Sequence, residues 1–191
     1  MNSSGFTIVE VLVTAAIIAI LATITSLQTG RRDPGGYVHE SKELLRSTTE
    51  LARTYAMTGH LCCNNSYPPD GYGVFWTMDG APDQSYMLYA DLDNNQRYDS
   101  DGVDQVITNH SLDDVVNFTS CSDGATTITP NASPPNTCDI HFSFGQENQA
   151  YHVYWNGIGT GIATLEATVQ HQSATTETDT MTVFTKTFLI E

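Results

Sequence analysis

The chain has 191 residues and a formal net charge of -15, with 7 Lys plus Arg against 22 Asp plus Glu. That length holds one membrane-spanning or fibre-forming helix and one ordinary compact domain, but not two full soluble domains. A surface this acidic repels nucleic acid and anionic lipid, so no nucleic-acid partner is expected. The nearest thing to a basic cluster is Arg31, Arg32, Lys42, Arg46 and Arg53, all just after the first apolar segment.

Residues Phe6 to Leu27 form an almost unbroken apolar run in which Glu10 is the only ionisable residue. As a helix the run would span about 33 Å, the hydrocarbon thickness of a bilayer. A secretory signal peptide would instead carry a basic leader, a shorter apolar stretch and a small-residue cleavage site after it. Met1 to Ser4 bear no side-chain charge, and the apolar run begins almost at once. A carboxylate in such a helix costs on the order of 3 kcal/mol, which makes Glu10 a functional residue in search of a cation. Thr14, Ala15, Ala16, Ala19 and Ala22 offer small faces on which neighbouring helices can approach.

The stretch Gly5-Phe6-Thr7-Ile8-Val9-Glu10-Val11 resembles the G-F-T-x-x-E motif of type IV pilins and type II secretion pseudopilins. The resemblance implies a leader of residues 1–5, cleavage by a prepilin peptidase between Gly5 and Phe6, and N-methylation of the new terminal Phe6. It also implies that Glu10 pairs with the N-terminal ammonium of a neighbouring subunit and sets axial register, as buried ion pairs can. The expected partners are prepilin peptidase, other pilin or pseudopilin subunits and an inner-membrane assembly platform. The expected location is the inner membrane as a single-pass precursor, then an extracellular filament. Two features depart from the usual pattern: the leader has no Lys or Arg, and no Pro occurs before Pro34. By the positive-inside rule Arg31 and Arg32 favour the opposite orientation.

Residues 29–36 are rich in helix breakers and read as a hinge after a hydrophobic helix over 6–28. From Tyr37 to Met57 the spacing of Val38, Leu44, Leu45, Thr48, Leu51, Ala52 and Tyr55 predicts an amphipathic helix, with Gly59 as its stop. Four cysteines, Cys62, Cys63, Cys121 and Cys138, lack the spacing of a zinc ribbon or a dithiol redox site. Two disulfides in an oxidising compartment are expected, with Cys62 and Cys63 each joined to one of the distant cysteines, because a ring between neighbours is strained. Free buried thiols are the alternative.

Beyond Cys62 the chain turns to short β-prone runs broken by Pro, Gly, Asn and Asp. Strands are expected at Gly73 to Thr77, Tyr86 to Ala90, Gln105 to Thr108, Val115 to Phe118, Asp139 to Phe144, Tyr151 to Trp155, Ala163 to Gln170 and Thr182 to Ile190, with a polar loop over Ser120 to Thr137. The fold class is therefore α+β: a long hydrophobic helix, then an amphipathic helix packed on an antiparallel β-sheet head over 37–191, as in type IV pilins. The order of elements also resembles the heads of H-type minor pseudopilins and fimbrial T minor pilins, through Leu51-Ala52-Arg53-Thr54-Tyr55-Ala56 and a late Phe-rich strand.

Between two expected strands, Asp91, Asp93, Asn95, Arg97 (through its carbonyl), Asp99, Asp101 and Asp104 place oxygen donors at mostly alternate positions, as hard-cation loops do. Calcium is the expected ion, although Gln96 stands where an EF-hand has glycine and Gly102 where it has glutamate. The chain has no nucleophile elbow, P-loop, zincin motif or dinucleotide fingerprint. The scattered histidines include His141 and His152, which paired strands could set face to face. No enzymatic activity is expected. A structural filament subunit is the leading function, and a membrane-anchored module that binds a glycan or surface partner without polymerising is the alternative.

Overall fold

The computed structural model describes residues 7–29, 33–63, 66–68, 70–78, 84–122, 127–130, 136–143, 151–155, 158–160 and 164–184, with backbone alone at 24–29, 151–155, 158–160, 164, 183 and 184. The leader, the Gly5–Phe6 junction, Arg31, Arg32 and the end of the last expected strand lie outside these residues. The chain divides into two compact units, residues 1–33 and 34–191.

The first unit is helix α1, Ile8–Thr29. Thr7 opens it: its carbonyl accepts from the Glu10 and Val11 N–H groups at 3.0 and 3.2 Å, and its hydroxyl accepts from the Glu10 N–H at 3.3 Å. Thr7-Ile8-Val9-Glu10 thus has the sequence of a capping box, with a carboxylate in the first turn where the helix dipole favours it. Thr14 and Thr23 turn their hydroxyls back onto carbonyls of the preceding turn, at 2.8 to 3.0 Å, so neither presents a free donor to its surroundings. The aliphatic side chains from Ile8 to Leu21 are exposed around the whole circumference, Ile8 at 82 % and Ile18 at 65 %. Among the described residues no helix is long and apolar enough to cross a membrane, and α1 is described with side chains only as far as Thr23.

The second unit begins with α2, Pro34–Thr58. It starts three residues earlier than its periodicity implies. Pro34 suits the first helical position, where its missing N–H costs nothing, so the proline read as a breaker is an initiator. The helix ends in a Schellman motif: Gly59 has φ 68°, the His60 N–H reaches the Tyr55 carbonyl at 3.0 Å, and the two rings stack 4.0 Å apart. Its buried stripe is Val38, Ser41, Leu45, Thr48, Thr49, Ala52 and Ala56. Leu44 and Leu51, expected in that stripe, are exposed instead; Thr48, expected there, and Thr49 are buried, with their hydroxyls satisfied on the Leu44 and Leu45 carbonyls at 2.9 and 2.8 Å.

Among the described residues ten strands follow: β1 Gly71–Met78, β2 Ser85–Asp91, β3 Gln105–Ser111, β4 Val116–Ser122, β5 Thr127–Ile128, β6 Asn136–Ser143, β7 Tyr151–Trp155, β8 Ile158–Thr160, β9 Thr164–His171 and β10 Thr178–Phe184. They form two antiparallel sheets rather than the one expected, in the orders β3-β2-β1-β6-β7-β8 and β10-β9-β4-β5. Strand alternation gives the larger sheet two unlike faces. Tyr72, Val74, Trp76 and Met78 of β1, with Tyr86 and Leu88 of β2 and Ile140 and Phe142 of β6, are fully buried in the core. From that core Tyr72 meets the Tyr55 ring of α2 at 5.4 Å, and Trp76 meets Phe118 of β4 at 5.6 Å. The opposite face carries Gly71, Gly73 and Phe75 beside Tyr89, Asp91, Asp139 and His141.

The cysteines pair differently from expectation: Cys62 with Cys63, and Cys121 with Cys138. The reason lies in β4. A register shift between Phe118 and Ser120 turns Cys121 onto the same inward side as Phe118. It there meets Cys138, which faces inward on β6, and the bridge ties one sheet to the other across the core. Cys62 and Cys63, just past α2, are left with each other.

Candidate functional site

One end of the polar face of the larger sheet is built from three neighbouring strands. The register sets Gly71 between Asp91 of β2 and Ser143 of β6, and Gly73 between Tyr89 and His141. Gly73 is required for its lack of a side chain, since a Cβ there would run into the Tyr89 ring. Tyr89 lies across that gap, and its hydroxyl donates to both Asp139 oxygens at 2.9 and 3.0 Å.

The loop from Leu92 to Asp104 folds over this end of the sheet. Asn94 and Gln96 take the left-handed conformation, φ 66° and 67°, as does Gly102 at 88°. Their strain is offset by carboxylates that collect backbone N–H groups. Asp91 Oδ1 accepts from Asp93 and Asn94 at 3.1 and 2.7 Å, and Oδ2 from Gln96 at 2.7 Å. Asp104 spans the loop, accepting from Leu92 at 3.0 Å and from Asp99 at 2.8 Å. The Tyr98 N–H donates to Asp139 Oδ2 at 2.6 Å, and its ring packs 4.8 Å from Phe75 and 5.4 Å from Tyr89.

Burial dominates the electrostatics. It pushes the Asp139 carboxyl up to about 8, against the lowering effect of the Tyr98 and Tyr89 donors. Burial also pushes Asp91 up to about 6 and raises Asp104, with neighbouring carboxylates adding to both. Tyr89 is raised well above its ordinary value by the same desolvation and by Asp139. The site is a cluster of buried carboxyl groups, their pKa values raised by desolvation, that collect backbone N–H donors from the loop.

Of the seven loop residues singled out by spacing, Asp91, Asp93 and Asp104 converge, each offering an oxygen within 4.8 Å of the others. Asn95 sits beside them, its amide donating to Asp93 at 2.8 Å and to Asp99. Asp99 also faces Arg97 Nε at 3.6 Å, and exposed Asp101 accepts from the Val103 N–H in a turn of its own. Three residues that spacing did not select complete the surroundings: Asp70, Asp139 and His141. Asp70, Asp91 and His141 form a second group with donor atoms within 4.8 Å of one another. His152 stands opposite His141 in the β6–β7 register.

Lys42, His39 and Arg46 of α2 meet carboxylates of the same chain. Lys42 Nζ reaches Asp179 Oδ1 at 3.3 Å, His39 reaches its Oδ2 at 3.2 Å, and Arg46 faces Glu50 at 3.3 Å. Partial burial pushes Asp179 up, but the bonds from His39, the Thr180 N–H and Lys42 outweigh it and hold the carboxyl below its usual range.

At the other end of the chain, residues 1–26 match the family model for the prokaryotic N-terminal methylation motif. The chain therefore carries the signature of type IV pilins and pseudopilins, and the match takes in Gly5, Phe6 and Glu10. No curated protein and no solved structure matches the chain.

Proposed function

We propose that the protein is a structural subunit, pilin or minor pseudopilin, of a type IV pilus-like or type II secretion-like filament, assembled through α1 with its head displayed outside the cell. The motif marks a precursor that prepilin peptidase processes. The observation that carries the rest is the spacing of that motif, with Gly5 and Phe6 five and four positions before Glu10 in the sequence. Cleavage after Gly5 frees an ammonium on Phe6, and Glu10 of a neighbouring subunit is the carboxylate that neutralises it in an apolar bundle. The exposed aliphatic surface of α1 supports the same reading, because a helix apolar on all sides belongs in lipid or among other helices. Before assembly the run from Phe6 to Leu27 holds the precursor in the inner membrane, and the assembly platform lifts it from there.

Mass spectrometry of the protein from its native membrane tests this directly. A mature chain starting at N-methylated Phe6 is the expected species. Retention of Met1 to Gly5 with an unmodified Phe6 sinks the reading and leaves a membrane-anchored module.

For the acidic loop we propose calcium, held by Asp91, Asp93 and Asp104, whose oxygens suit a hard cation. Added calcium should raise the melting temperature of the wild type and leave Asp93→Asn unmoved.

A further inference from the structure

The second donor group differs in kind from the first. Asp70 precedes β1, Asp91 ends β2 and His141 lies on β6, so three strands deliver one ligand atom each to one end of the sheet. Asp91 and His141 are fully buried, and the His141 Nε2 to Asp91 Oδ2 separation is 3.5 Å. That is long for a hydrogen bond, but two ligands of one tetrahedral ion, each about 2.05 Å from it, stand about 3.3 Å apart. Asp70 supplies the independent sign: its Oδ2 is buried and finds no hydrogen-bond partner among the described residues. A buried carboxylate oxygen left without a donor costs free energy that a cation would recover.

From this juxtaposition we infer that Asp70, Asp91 and His141 form a binding site for a divalent transition-metal ion of the zinc class, with solvent as the fourth ligand. An imidazole nitrogen beside two carboxylates selects such an ion over calcium, which takes six to eight oxygens. The supporting shell is already in place. The three backbone N–H groups on Asp91 fix its plane, as partners outside the coordination sphere do in established metal sites. Asp70 is only partly buried, which leaves the ion a way in from solvent. Once bound, the ion would join β1, β2 and β6 and, through Asp91, the base of the 92–104 loop.

The test uses the full chain in detergent, stripped with chelator and dialysed against buffered zinc. One zinc per chain and a rise in melting temperature of several degrees are expected, and cobalt in place of zinc should give the visible bands of a four-coordinate site. Asp70→Asn, at the partly exposed ligand, should weaken zinc tenfold or more with the fold intact by circular dichroism. His141→Gln should do the same, and Asp70→Asn stands alone if the buried substitution prevents folding. Asp93→Asn should leave zinc affinity unchanged, which separates this site from the loop's proposed calcium. Absence of zinc from the wild type, or zinc retained equally by Asp70→Asn, overturns the assignment and leaves an Asp91–His141 contact only.

Discussion

The two helices have similar lengths, 22 residues in α1 and 25 in α2, and opposite relations to the chain that encodes them. Helix α2 is apolar along one stripe and buries that stripe against β1, β9 and β10 of its own head. Helix α1 is apolar on every side as far as its side chains are described, and exposes Ile, Leu and Val from Ile8 to Leu21. A stripe specifies a partner within the molecule, whereas an apolar cylinder specifies an environment supplied by something else. The first pattern stabilises a fold, and the second is what the proposed assembly would use.

The sharpest way to break that contrast is at Glu10, the single charge on the apolar cylinder. Glu10→Leu should reduce surface fibres at least tenfold in electron micrographs of the native host. Because Glu10 also occupies the capping-box position after Thr7, Glu10→Gln separates two roles: glutamine keeps the capping pattern and removes the charge. Loss of fibres in both variants supports ion pairing between subunits. Normal fibres from Glu10→Gln would reduce Glu10 to a helix cap.

A smaller effect is expected within α2. Leu45→Ala removes a fully buried side chain and should destabilise the head by about 3 kcal/mol in denaturant unfolding. Its neighbour Leu44, 47 % exposed, should tolerate alanine within about 0.5 kcal/mol. Equal costs at the two positions would show that the stripe has been drawn on the wrong face.

The smallest effect is the ion pair that ties α2 to β10. Asp179→Asn should cost about 1 kcal/mol at neutral pH, as partly exposed pairs do. The folded-state carboxyl titrates below its unfolded value, so its contribution is whole above the ordinary aspartate range, near pH 4. That contribution is lost as pH falls through the lowered folded value. The difference between wild type and Asp179→Asn should therefore shrink on acidification and persist toward pH 7.

What could be read from sequence follows the range of the interactions. Gly5, Phe6 and Glu10 lie in one contiguous motif, which the family model also matches, and α2 and most strands follow from local periodicity, so motif and elements were legible. Leu44 and Leu51 were misplaced because helical spacing marks a broad face without fixing its edges, whereas Val38, Leu45, Thr48 and Ala52 were placed correctly. The Cys121–Cys138 bridge was hidden by the irregularity in β4, which strict alternation cannot foresee. Asp70, Asp139 and His141 were missed because only the register of β1, β2 and β6 brings them to the acidic loop, and register is a long-range property. Regular spacing within 91–104 marked that loop but said nothing of what lies beneath it.

A covalent link between β4 and β6 also has a mechanical meaning. A pull that peels the smaller sheet from the larger must rupture a sulfur–sulfur bond, not merely slide apolar side chains past one another. Oxidised heads should resist such traction at forces where reduced ones give way.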